Sequence, residues 1–350
     1  MTHALIIGKF YPPHVGHHAM VRFAATVAER VTVVVMSASV ESVSLQDRVA
    51  WMTGSHACDE SVTITGIVCD APIDHTSRAV WAAQVACMRA AVGNEPVDVV
   101  VTSEPYGDEL ARWFDARHVP FDLPRTGFPV SGTSCRADLA ASWRCLDAPA
   151  RAGLATRIVV VGSESTGTTT VAGGLTSHFR QRWPDTECVD EFGRQDTVDK
   201  ASRAGSVDDI VWTGDDFARI ARTQAAHEEA AARRGSPVLI CDTDAFATTV
   251  WERRYLGVDS HRAVADDRHA LYLVTDHHGV PFVQDGIRDG EHVRAEMTGW
   301  FLDALTRSGR SWVLLTGSHE ERLELAIRTA EQELRRRTTF AAPLGGILEA

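Results

Sequence analysis

The sequence predicts an α/β protein made of two parallel-sheet domains in series, and three observations carry that reading. Two stretches, "HALIIGKFYPPHVGHHAMVRFAATVAER" at 3–30 and "RIVVVGSESTGTTTVAGGLTSHFRQ" at 157–181, each run from a short apolar segment through a glycine-containing turn into a helical pattern. β-Branched runs of the kind that fill buried parallel strands recur between helical patterns in both halves. The length, 350 residues, exceeds the ~250–300 residues at which a single core usually stops growing.

In the first half, "VTVVVMS" (31–37) and "VDVVVTS" (97–103) read as strands. "SLQDRVAWM" and "SRAVWAAQVACMRAAV" carry helical spacing, and a further helix is expected over 134–144. "LDAPARAGLATR" is rich in alanine, glycine and proline, which sets a first domain at 1–146, a linker at 147–156 and a second domain at 157–350. The second half predicts strands at 158–162, 186–190, 237–242, 270–275 and 311–316. Its helices are expected at 168–182, 215–234, 291–308 and 319–337, the last opened by a Ser-x-x-Glu capping box at Ser318 and Glu321.

Composition narrows the function. With 44% hydrophobic and 23% charged residues the chain reads as ordinary globular protein. A net charge of −12 argues against general nucleic-acid or acidic-membrane binding, though a local anion site survives such a background. The seven cysteines form no C-x-x-C pair, which fits a reducing compartment better than disulfides or zinc. Neither a signal-peptide core nor an apolar run of membrane-span length is present, so the expectation is a cytoplasmic protein without membrane insertion. Of 35 basic residues only Lys9 and Lys200 are lysines.

The first turn, "GKFYPPHVGHH", puts His14 and His17 three apart around Gly16 where a helix begins. Helix N-termini present unpaired N–H groups and the positive end of a dipole, so phosphates bind there. Taken alone, an H-x-x-H is as well explained by helix capping. Together with "VSGTSCR" at 130–136, however, it resembles the two signatures of the HxGH nucleotidyltransferase superfamily. That resemblance implies a Rossmann-like domain binding ATP through Gly8, Phe10, Gly16, Ser131 and Thr133. His14, His17 and Lys9 would hold phosphates during in-line attack on the α-phosphorus, and Arg136 would grip the departing pyrophosphate. Lys9 gains weight because the chain uses arginine nearly everywhere else. "DHTSRAVWAAQV" resembles the segment in which nicotinamide mononucleotide enzymes carry a ring-stacking tryptophan, making Trp81 the candidate. An ordinary packing role suits Trp81 equally well.

The second turn, "GSESTGTTT", has the glycines and hydroxyl of a phosphate-binding loop, but Thr168 stands where the lysine belongs. In this loop Gly162, Ser163, Glu164, Ser165, Thr166, Gly167, Thr168, Thr169 and Thr170 would cradle phosphates. "CVDEFGR", "WTGDDFARIARTQ", "VLICDTD" and "VQDGIRD" then follow in an order that resembles P-loop nucleoside kinases. Thr169 with Asp242, or Asp244 as alternate, would hold Mg²⁺. Asp190 or Glu191 would orient and deprotonate the acceptor hydroxyl. Arg194 would position the acceptor, and Arg288 and Arg294 would cover the migrating phosphoryl group.

From about residue 3 to 337 the whole chain resembles the NadR-type bifunctional family, on "GKFYPPHVGH", "GSESTGxTT", "DEFGR", "DTDAFATTVW" and "DGIRD". The resemblance implies phosphorylation of nicotinamide riboside to the mononucleotide and adenylylation of that product to NAD, with ATP and Mg²⁺ used in both steps. A homo-oligomer is compatible with it. Some members carry an N-terminal helix-turn-helix repressor domain. Here the first strand begins at about residue 4, and DNA binding is not expected. Loss of a preorganised positive charge typically costs ~2.7–4 kcal/mol of barrier. Two readings therefore stay open: a working kinase in which Lys200 or a lid arginine replaces the missing lysine, or a domain that only senses nucleotide.

Overall fold

A computed structural model describes residues 1–258 and 270–344. Contacts divide the chain into two units, Met1–Gly153 together with Thr338–Ala350, and Leu154–Arg337. Both are parallel α/β folds.

The first unit contains β1 (His3–Gly8), α1 (Val15–Val27), β2 (Arg30–Ser37), α2 (Leu45–Ser55), β3 (Val62–Val68), α3 (Arg78–Val92), β4 (Val99–Thr102), α4 (Gly107–Phe114), β5 (Arg117–Pro120), α5 (Gly132–Ala137) and α6 (Ala148–Leu154). Its five strands lie in the order β3-β2-β1-β4-β5, and every pairing is parallel. The order reverses between β1 and β4, so a crevice opens beyond their carboxyl ends, the usual ligand position in such sheets. Leu5 and Ile7 face a core shared with Trp81, Val85 and Leu110. Ala4 and Ile6 face the opposite core with Met20, Val21 and Met52. Burial on both faces explains the near-continuous apolar strands.

The second unit contains β6 (Thr156–Gly162), α7 (Thr168–Arg180), β7 (Glu187–Val189), α8 (Phe192–Ala204), α9 (Gly214–Arg234), β8 (Val238–Asp242), α10 (Ala247–Leu256), β9 (Leu271–Thr275), α11 (Arg294–Arg307), β10 (Ser311–Leu315) and α12 (His319–Thr338). The strand order is β10-β9-β6-β8-β7, again all parallel. β6 is central, so the phosphate-loop residues leave the middle of the sheet and run directly into α7.

The structure differs from the sequence expectations in three places. The helix expected over 134–144 ends at Ala137, because the Asp138 carboxylate accepts the Ala141 N–H at 2.9 Å and Asp138 is extended. The expected linker at 147–156 is occupied by α6 and the start of β6. The residues after α12 also depart from the expected boundary, since they cluster with the first unit. Among the described residues, no helix is long and apolar enough to cross a membrane.

Candidate functional sites

The first site lies at the carboxyl ends of β1 and β4, in a cavity of about 400 Å³ lined by Gly8, Lys9, Phe10, His14, Gly16, His17, Ser131, Thr133 and Arg136 among others. The structure thus brings together every first-domain phosphate candidate from the sequence. Gly16 is required by close approach: a Cβ there would lie 3.2 Å from the His14 ring and 3.3 Å from Phe128 Cβ. The His14 and His17 rings stack with centroids 3.7 Å apart, and the Phe10 edge supports His17 at 4.8 Å. The His14 N–H donates to His17 Nδ1 at 3.3 Å, which leaves the His17 proton on Nε2. Both ring nitrogens of His14 are buried without a hydrogen-bond partner.

Burial, with the charges of His18 and Arg125 adding to it, lowers the His14 pKa to about 3. Burial and neighbouring His14 hold His17 well below its ordinary value. Both imidazoles are therefore neutral near pH 7, with one N–H each to offer a ligand.

Positive charge comes from elsewhere. Arg136 Nη1 donates to the Tyr11 carbonyl at 2.7 Å, and Nη2 to Thr133 Oγ1 at 3.2 Å. Lys9 donates to Glu41 at 2.7 Å, and the wholly buried Arg48 donates to the other oxygen of that carboxylate at 2.6 Å. Burial pushes the Glu41 carboxyl up, but the hydrogen bonds from Lys9 and Arg48 outweigh it and leave it below its ordinary value. Both guanidinium groups lie over the Tyr11 ring, whose centroid is 4.2 Å from Arg48 and 5.1 Å from Arg136. Tyr11, Glu41, Arg48 and Arg125 were not singled out from the sequence.

A smaller cavity of about 150 Å³ adjoins the same strand ends and is lined by Lys9, His75, Trp81, Gln84 and Tyr106. Trp81 is 6% exposed and belongs to the core, yet it also lines this cavity, and its Nε1 donates to the His75 carbonyl at 3.1 Å. The His75 and Tyr106 rings stack at 5.4 Å.

The second site is a cavity of about 580 Å³ where β6, β8 and α7 meet. Gly162 has no room for a side chain, since a Cβ would lie 2.2 Å from Thr275 Oγ1 and 2.6 Å from Thr166 Oγ1. Thr169 Oγ1 donates to Asp242 Oδ2 at 2.6 Å. Burial raises the Asp242 pKa, opposed by the hydroxyls of Thr169 and Thr168. The residue in the lysine position is thus directed at the buried carboxylate. Glu191 also lines the cavity, and burial, reinforced by the charge of Asp242, pushes its pKa up to about 7. Asp190 is exposed at the same rim. The far wall is aromatic, with Trp212 and Phe217 at 5.3 Å and Trp212 and Tyr255 at 5.3 Å, joined by Trp251.

Several sequence candidates fall outside this cavity. Lys200 bonds Asp216 at 2.8 Å and sits over the Trp212 ring, and it does not line the site. Asp244 accepts from the Tyr272 hydroxyl at 2.5 Å and caps α10 by accepting the Ala247 N–H. Arg294 donates to the carbonyls of Ser165 and Val280, each at 3.1 Å, which spends its charge behind the loop. Glu164 takes the Gly290 N–H at 2.7 Å and pairs with Arg254 at 2.9 Å, while Ser165 Oγ accepts the Val283 N–H at 2.9 Å. These two loop residues do line the cavity, and they tie segment 283–290 to the loop. Thr166 is buried against Ser163 and Thr275, and Thr170 lies outside the cavity lining. The cations that do line it are Arg194 and Arg288, which both reach Asp285, at 2.6 and 3.4 Å.

Comparison with known proteins follows the same division. Residues 5–137 match the cytidylyltransferase-like family and residues 157–322 match the AAA domain family. The trifunctional NAD biosynthesis/regulator protein NadR of Escherichia coli (strain K12) is 22% identical over 303 residues, covering 82% of this chain and 72% of its own length. Its counterpart in Salmonella typhimurium is 21% identical over 300 residues, covering 81% and 71%. A crystal structure of NadR in complex with NAD and AMP-PNP superposes with a TM-score of 0.63 at 18% identity, covering 95% of this chain and 96% of that one. This chain is NadR-like and spans the nucleotidyltransferase and kinase parts. A NadR structure in complex with NR shares the fold equally, with a TM-score of 0.62 at 19% identity and the same coverage.

Proposed function

We propose that this NadR-like chain makes NAD in two steps. The second unit would phosphorylate nicotinamide riboside, and the first would transfer adenylate from ATP to the resulting mononucleotide, releasing pyrophosphate. The observation that carries the reading is the pairing of two phosphate turns in one chain, each at the carboxyl end of a central strand and the start of a helix.

In the first site the neutral rings of His14 and His17 would donate to the α-phosphate region while Arg136 and Lys9 neutralise the leaving pyrophosphate. Catalysis there is positioning and charge stabilisation, with no covalent intermediate. The Trp81, Tyr106 and His75 rings offer the nicotinamide end a flat, partly apolar wall. In the second site the backbone N–H groups from Gly162 to Thr169 would hold ATP phosphates. The Thr169 hydroxyl and the Asp242 carboxylate fit an oxygen-seeking cation, because they bring two oxygen ligands together and burial leaves the carboxylate charge poorly solvated. Mg²⁺ held there would offset negative charge on the phosphates. Glu191, held partly protonated near pH 7, would accept the acceptor hydroxyl proton, and the wall of Trp212, Trp251 and Tyr255 would seat the nicotinamide ring.

Thr168 favours a second reading, in which the P-loop unit binds nucleotide without turnover. The test is ADP and mononucleotide formation from nicotinamide riboside, ATP and Mg²⁺ in His17→Ala protein, whose first site is silenced. Turnover supports the kinase. Tight ATP binding without ADP release makes the second unit a sensor.

A further inference from the structure

The residues that follow α12 reach the first site. The Phe340 ring stands edge-on to Tyr11 with centroids 5.4 Å apart. The Tyr11 hydroxyl donates to the Ala341 carbonyl at 3.0 Å, and the Ala341 N–H donates to Ser42 Oγ at 3.1 Å. Ser42 closes the triangle, its N–H donating to the Tyr11 oxygen at 3.0 Å. Two residues further on, Pro343 and Leu344 line the 400 Å³ cavity beside the histidines, and Leu344 also lines the smaller cavity that contains Trp81.

We propose that Phe340–Leu344 completes the first nucleotide site from the far end of the chain, positioning Arg136 through Tyr11. The proposal rests on the adenylyltransferase reading of that site. Tyr11 is 1% exposed and joins the parts. Its carbonyl orients Arg136, both Arg136 and Arg48 lie over its ring, and its hydroxyl and ring meet Ala341 and Phe340. A guanidinium fixed through a buried aromatic ring has few rotamers to lose when it meets a pyrophosphate group. Loosening the ring would leave the charge in place and spoil its aim. Leu344 adds an apolar edge between the two cavities, where polyphosphate and flat-ring ends of the reactants would diverge. Phe340 and Ala341 are thus positioning residues, acting on the pyrophosphate end.

The test is steady-state kinetics of the full chain in both directions with Phe340→Ala and Phe340→Tyr. Phe340→Ala should raise KM for pyrophosphate in the reverse reaction about three- to tenfold, the range an aromatic pair contact is worth. KM for NAD should change less than about twofold, and the melting temperature should move by less than about 3 °C. Phe340→Tyr should restore the pyrophosphate KM. Equal losses for both substrates with lowered melting would show a merely structural contact and overturn the proposal. So would unchanged kinetics, or faster turnover in a chain ending at Thr339, which would make the segment an obstruction. The unmodified chain separates this from the parent reading. If it interconverts no NAD and ATP, the adenylyltransferase reading falls, and ATP affinity by calorimetry becomes the readout, with Phe340→Ala again expected three- to tenfold weaker.

Discussion

The two sites use one backbone plan and opposite side-chain chemistry. Both place a glycine turn between a central parallel strand and a helix N-terminus. The first then surrounds the phosphate position with neutral imidazoles and fixed cations, His14 and His17 beside Lys9 and Arg136. The second surrounds it with carboxylates, Glu191 and Asp242, and its lining arginines are already engaged by Asp285. On the proposed reading the first site would meet a polyphosphate with Arg136 and with a Lys9 drawn away from Glu41, whereas the second would depend on an added cation or on drawing its arginines away from Asp285.

The largest effect that would break this comparison is at His17. His17→Ala should lower adenylyl transfer by ~10²–10³, the usual cost of one preorganised donor, and leave riboside-dependent ADP release unchanged. Asp242→Asn should do the reverse, with phosphoryl transfer falling ~10²-fold and its Mg²⁺ requirement shifting upward, while NAD formation from the mononucleotide is retained. Thr168→Lys sharpens the contrast. If phosphoryl transfer lacks a fixed charge, this substitution should raise ADP release by about tenfold, and should restore activity to Arg194→Ala protein. An unchanged rate would mean that Arg194 and Arg288 already supply the charge.

The smallest effect is on stability. His14 titrates at about 3 when folded and His17 well below its ordinary range, against an ordinary value of 6.5. As pH falls below 6.5 the unfolded chain takes up protons that the folded chain refuses, so stability declines with acid through the window down to about 3. Each imidazole contributes a slope of ~1.4 kcal/mol per pH unit there. Chemical denaturation at pH 7, 6 and 5 should show the decline, and His14→Gln should remove one imidazole's share.

The sequence made the phosphate turns legible because their parts follow one another closely along the chain and impose local patterns: an apolar run, a glycine, a helix start. It also placed Trp81 in the segment that lines the smaller cavity. It did not reveal the hub of Tyr11, Glu41 and Arg48, whose members come from separate loops and helices and are chosen by packing. Lys200 illustrates the limit. Its rarity drew attention to it, but rarity carries no position, and α8 and α9 hold it against Asp216 and Trp212. Asp244 and Asp242 end the same strand and looked alike. β8 stops at Asp242, and the left-handed backbone of Thr243 (φ 70°) turns the chain there, so Asp242 meets Thr169 while Asp244, past the strand, meets Tyr272.

The Tyr11–Ala341 hydrogen bond joins residues separated by 330 positions. At a ribosomal rate of ~5–20 residues per second, roughly 15–65 s pass between synthesis of the two partners. During that interval the first sheet can form and bury its apolar faces, but Tyr11 has neither Phe340 nor Ala341 to rest on. If Phe340–Leu344 completes the site as proposed, the nascent N-terminal half would hold an unfinished site until the whole of the second unit has been translated.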